Sequence, residues 1–170
     1  MTPKATKLGL ELKVVLDQEA GLLKALVEAM HEERELLVRF QPNQLVELNK
    51  RKELLVLQHS YLEQGRRELT RKLGRELGLD SDGAGLAAIA EKLDGQLGRD
   101  LQNLKSTLSA LVDAVTELNS LNKQLIEFSI RSVKGSVAFL KKRFFNAGTY
   151  SAEGMINQQI STLSMIHNRA

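Results

Sequence analysis

Ala90, Leu97, Leu104, Leu111, Leu118, Leu125, Ser132 and Phe139 stand seven residues apart, with Leu93, Leu101, Leu108 and Val115 on companion positions beside them. A seven-residue apolar repeat lays one stripe along a helix, whereas a strand needs a period of two. A stripe that long cannot be left in water, so it must be buried against other helices. The rest of the chain offers such partners. Leu48, Leu55, Leu62 and Leu69 repeat the spacing, with Leu45 and Leu73 as companions. Lys52, His59 and Arg66 fill the other companion positions, so half of this seam is amphipathic, and long basic stems can lie along it with their heads in water. Between Thr6 and Phe40, a third run places Leu12, Leu16, Leu23, Leu26, Met30, Leu37 and Phe40 at 3–4 spacing.

Two breaks separate the runs. Phe40-Gln41-Pro42-Asn43 ends the first, because proline disfavours helical geometry in the residue before it yet suits a first helical turn. Gly78-Leu79-Asp80-Ser81-Asp82-Gly83-Ala84-Gly85 is the clearest loop in the chain. The predicted helices are therefore 6–40, 42–78 and 84–146, followed by a tail, 147–170, whose Ile156, Ile160, Leu163 and Ile166 spacing suggests a further amphipathic helix. Gly95, Gly98 and Gly135 each weaken the third helix by about 1 kcal/mol relative to alanine, which permits a kink without requiring one. At 1.5 Å per residue the first two helices are roughly 50 Å long and the third roughly 90 Å. Short connections make successive helices antiparallel. The expected fold is all-α: one helical domain, 1–170, built as an elongated antiparallel three-helix coiled-coil bundle with a long third helix. That helix outruns its partners by about 25 residues from near Asn119, leaving Leu121, Leu125, Phe128, Val133, Phe139 and Phe144 to fold back, dimerise or meet another protein.

Composition narrows the function. Of the 170 residues 42% are hydrophobic and only 2 are proline, which describes an ordered chain. There is no cysteine, which removes disulfides, thiolate metal sites and cysteine nucleophiles. His31, His59 and His167 alone could shuttle protons near neutral pH. The N-terminal stretch has charges every few residues and no apolar h-region, and the longest apolar run is Leu86 to Ala90, so neither a secretory signal nor a membrane span is expected and the chain reads as cytoplasmic. Charge is uneven: residues 80–127 carry 4 basic and 8 acidic side chains, residues 128–170 carry 6 basic and 1 acidic.

No motif for catalysis stands out. Glu28 and His31 have the Glu-x-x-His spacing of di-iron bundles, but no second copy exists, since Val56 precedes His59 and Ser164 precedes His167 by three. Asp80, Asp82, Gly85 and Glu91 match positions of a calcium loop whose other ligand positions hold Ala84 and Ala88. Asp82 serves better as a helix cap. Arg131, Lys134, Lys141, Lys142 and Arg143, interleaved with Phe139, Phe144 and Phe145, could stack a single-stranded nucleic acid, although solvated basic residues also suit a helix C-terminus. Phosphate-loop, dinucleotide and nucleophile-elbow patterns are absent from the sequence. No enzyme activity, metal or cofactor is expected.

Glu117-Leu118-Asn119-Ser120-Leu121-Asn122-Lys123-Gln124-Leu125-Ile126-Glu127, followed by Ser129, Ile130 and Val133, resembles the distal helix of FlgN-type flagellar export chaperones. Leu45 to Leu55 looks like that family's second-helix entry, and Thr149-Tyr150-Ser151-Ala152-Glu153-Gly154 like its segment after the long helix. The resemblance implies a cytosolic chaperone that holds hook-filament junction (hook-associated) proteins unassembled and delivers them to the flagellar type III export gate. Carried onto this chain, it implies substrate capture by Asn119, Asn122, Leu125, Phe128, Val133, Phe139 and Phe144, and gate contact by Tyr150. The residues alone leave two rivals: a coiled-coil structural or adaptor protein, and a basic helical nucleic-acid-binding arm.

Overall fold

The computed structural model describes residues 2–79, 85–93 and 95–145, and among them every regular element is helical. The helices are α1 (Pro3–Val38), α2 (Pro42–Glu76), α3 (Leu86–Lys92) and α4 (Gly95–Phe145). Two compact units divide the chain, Met1–Ile126 and Glu127–Ala170. The tail spacing from Ile156 to Ile166 lies outside the described residues.

Local chemistry fixes the ends. Thr2 caps α1, its Oγ1 accepting from the Ala5 amide at 3.1 Å, with Pro3 at the first helical position. At the other end the Gln41 amide donates to Leu36 O and the Phe40 amide to Leu37 O, a doubled terminal bond that requires a left-handed residue between them. Phe40 takes that role at φ 57, at a cost of about 1 kcal/mol that a glycine would avoid. Its side chain is consequently turned out to solvent, 68% exposed, and does not extend the core stripe of α1 as its spacing suggests. The same closure ends α2, with Gly78 at φ 69.

Within the first unit, α1 and α2 run antiparallel: Thr2 meets Glu76, Glu19 meets Arg66 and Glu33 meets Lys52. The 95–126 part of α4 runs beside α1 in the same sense, Lys13 meeting Asp100 and Met30 meeting Asn122. One apolar cluster joins Ala5, Leu12, Leu16, Leu73, Ile89, Ala90, Leu93 and Leu101. Further along, Leu26, Met30 and Leu118 pack together, as do Ala29, Leu36 and Leu48. Leu36, not Leu37, is the buried residue at the end of α1. Leu36 lies on the side of α1 that faces α2, packed with Ala29 against Leu48.

The expected continuous helix 84–146 is two helices. Leu93 leaves helical geometry at ψ 115, and α4 restarts at Gly95 with φ 75. Gly98 shows why α3 can lie so close: a Cβ there would meet Leu93 O at 2.1 Å and Ala90 O at 2.6 Å, both backbone atoms. Helix propensity alone would have Gly98→Ala stabilise the chain by about 1 kcal/mol. The steric conflict reverses the sign, and a net loss of about 2 kcal/mol is expected in urea unfolding. Gly135 has nothing within 4 Å of its added Cβ, so Gly135→Ala should show the propensity gain instead, read as slower amide exchange in residues 127–145.

Candidate functional site: the distal helix and its polar anchors

Two buried carboxylates sit where the α1 repeat calls for leucine. Ala5, Leu12, Glu19, Leu26 and Glu33 are seven apart and all buried. Glu19, 2% exposed, receives Arg66 Nε at 2.9 Å. Glu33 receives Lys52 Nζ at 2.6 Å and Asn122 Nδ2 at 2.8 Å, and the same amide nitrogen donates to Met30 O at 2.8 Å. The amphipathic seam of α2 thus has a counterpart on α1: Lys52 and Arg66 reach inward to carboxylates while keeping partial access to water. That signal was available, because Glu19 and Glu33 occupy heptad positions of the first run.

Asn122 is 2% exposed and its Oδ1 has no hydrogen-bond partner among the described residues. It was expected to capture substrate from a helix surplus beginning near Asn119. The structure places it inside the first unit, its amide committed to α1. The reason is register: α4 starts anew at Gly95 beside α1, so the end of α1 stands level with about residue 125 at 1.5 Å per residue on both helices. Asn119 is exposed and Leu125 half-buried in the same unit.

More exposed ion pairs hold the other end. Lys13 Nζ lies 2.6 Å from Asp100 Oδ2, and Asp100 also accepts from Gln96 Nε2 at 2.6 Å. The Lys13 hydrogen bond, followed by that of Gln96, holds the Asp100 carboxyl below its ordinary value. Lys4 and then Thr2 do the same for Glu76. A depressed carboxylate contributes stability above its unfolded pKa and loses it as pH falls through the folded one. The expected loss therefore begins below the ordinary values, 3.8 for Asp100 and 4.5 for Glu76. Melting temperatures of the native chain and of an Asp100→Asn, Glu76→Gln variant should differ at neutral pH and converge on acidification through that range.

In the second unit, residues 127–145 are described, and they are unlike the seam that precedes them. From Leu97 through Leu101, Leu104, Leu108, Leu111, Val115, Leu118 and Asn122 to Leu125, every seam position is buried or half-buried. Counting on in the same rhythm gives Ser129, Ser132, Ser136, Phe139 and Arg143, a mostly polar set. The apolar residues fall one position later, at Ile130, Val133, Val137, Leu140 and Phe144, which share an arc of about 80° on the helix. All five are well exposed, from 46% at Val137 to 69% at Phe144. Val133 and Phe144, both expected site residues, belong to this stripe together with Ile130, Val137 and Leu140, which the seven-residue count passed over. Phe128 and Phe139 are exposed as well, 63% and 61%, but lie about 140–160° away around the helix. Tyr150 lies outside the described residues.

A family model described as FlgN protein matches residues 10–158, most of the chain. The chain belongs to the FlgN family. No curated protein and no solved structure matches it. FlgN membership carries the role of a flagellar export chaperone. No described helix of this FlgN chain is long and apolar enough to cross a membrane. The first unit of the FlgN chain also has an open apolar groove of about 670 Å³ beside Gly21 in which Leu57 and Tyr61 stand 66% and 77% exposed. Its rim is uncharged, Gln18 and Gln58 being the polar lining residues.

Proposed function

We propose that this chain captures flagellar hook-filament junction proteins in the cytoplasm, keeps them from assembling early and delivers them to the export gate. The observation that carries the reading is the exposed apolar surface of residues 128–144, where Phe128, Ile130, Val133, Val137, Phe139, Leu140 and Phe144 are each at least 46% exposed on one helix. Filament proteins that associate through helical ends would coil together prematurely, and a chaperone that supplies a temporary partner helix prevents this by occupancy alone. Capture is assigned to Phe128, Val133, Phe139 and Phe144. Asn122 acts as a positioning residue that ties α4 to α1. Tyr150 is assigned to the export gate by family resemblance. Co-expression with a hook-associated protein tests the reading: a stable complex is expected with the native chain, and failure to co-purify any junction protein rejects it. Tyr150→Ala should leave that complex intact while reducing secretion of the junction protein.

A further inference from the structure

The charges beside the 130–144 stripe describe its partner. In coiled-coil terms the stripe occupies the two seam positions, and Lys134 and Lys141 take the flanking position on one side. Ser129, Ser136 and Arg143 take the flanking position on the other. Residues 127–145 contain 5 basic side chains and one acidic one, Glu127, and the basic ones are all exposed. Flanking residues choose the partner of a coiled-coil seam, since they meet the flanking residues of the opposite helix. A second copy of this chain answers badly. Parallel pairing sets Lys134 against Ser129 and Lys141 against Ser136, with no charge compensated, and antiparallel pairing sets lysine against lysine.

We propose that residues 130–144 take up an amphipathic helix of another protein that carries glutamate or aspartate alongside its apolar stripe, Lys134 and Lys141 selecting it by charge. This rests on the chaperone reading and narrows it: the client helix is acid-flanked, and the seam that its flanking charges accompany is the Ile130–Phe144 stripe, to which Val133 and Phe144 of the capture residues belong. Ile130 and Val137 at one seam position with Leu140 at the other suit packing against a single partner helix.

The test titrates the full chain with three synthetic three-heptad helices that share one apolar stripe and differ only in flanking residues: glutamate, glutamine or lysine. Fluorescence anisotropy at low salt is expected to rank glutamate over glutamine over lysine. Lys134→Glu with Lys141→Glu should reverse that rank, each preference changing by about tenfold. Both substitutions are on exposed positions, and unchanged helicity by circular dichroism confirms that the fold is intact. Equal affinity for the three peptides, or a rank unmoved by the double variant, overturns the proposal. So does a doubled mass in light scattering without peptide, or uptake by anionic phosphatidylglycerol vesicles in place of the glutamate helix. A hook-associated protein held equally by the native chain and the double variant rejects charge selection and leaves the chaperone reading standing. The glutamate helix bound as expected, with no junction protein captured, does the reverse.

Discussion

Val133→Glu with Val137→Glu should abolish capture of a hook-associated protein while leaving the melting temperature within a degree or so of the native chain. Both side chains are about half-exposed, so a carboxylate at either position stays in water when the chain is alone. On binding, the same carboxylates would be buried without a partner, a cost of about 3 kcal/mol or more and hence a loss of about a hundredfold in affinity. Isothermal titration beside thermal melting separates the two effects. Phe128→Glu, at 63% exposure, should likewise spare stability. Leu125→Glu should not: Leu125 continues the buried seam of the first unit, so its replacement lowers the melting temperature whether or not it touches a client. An unchanged affinity for the valine double variant would remove the stripe from the capture surface.

Glu33→Ala is expected to cost about 3 kcal/mol of stability, among the largest effects of any single change on the surface of α1 facing α2. It leaves the Lys52 ammonium, whose side chain is only 16% exposed, without its carboxylate, and it strips Asn122 of one of its two acceptors. Partial access of Lys52 to water keeps the loss at the low end for a broken buried pair. Replacing Glu33, Lys52 and Asn122 together by leucine removes every polar group at once and should restore most of the loss, as apolar replacements of buried ion networks generally do. Urea unfolding of the single and triple variants decides. A Glu33→Ala chain as stable as the native one would mean that the network contributes nothing.

Much of this molecule was legible from its leucines, and the illegible parts have identifiable causes. Pro42 and Gly78 announce the ends of α1 and α2 because their backbone requirements are local. The break between α3 and α4 is not local. Gly98 reads as a weak point in a helix until Leu93 O and Ala90 O are found where its Cβ would stand. Asn122 illustrates a second kind of failure. Its motif carries the family resemblance, yet whether a polar residue at a seam position binds a partner or anchors the fold depends on where the neighbouring helix begins. The exposed stripe is a third case. Ser132 and Phe139 fit a seven-residue count that had been faithful since Leu97, and fidelity to the count concealed the one-residue shift to Ile130, Val133 and Val137.

The carboxylates of α1 also decide which helices can never pair with it. Glu19 faces Arg66 and Glu33 faces Lys52, two matched positions separated by the same fourteen residues on both strands of the hairpin. Sliding α2 by one heptad sets Glu19 against His59 and Glu33 against Leu45, while Arg66 and Lys52 land on Leu12 and Leu26. Glu33 is then stranded against leucine and both cations lose their carboxylates, so that alignment is strongly disfavoured. An uninvited helix faces the same bar. A client with an unbroken greasy stripe, or with acid beside it, lacks the two spaced cations that α1 demands and cannot strand-exchange with α2. A chain that takes up client helices as proposed would thereby keep its own hairpin from being traded away to them.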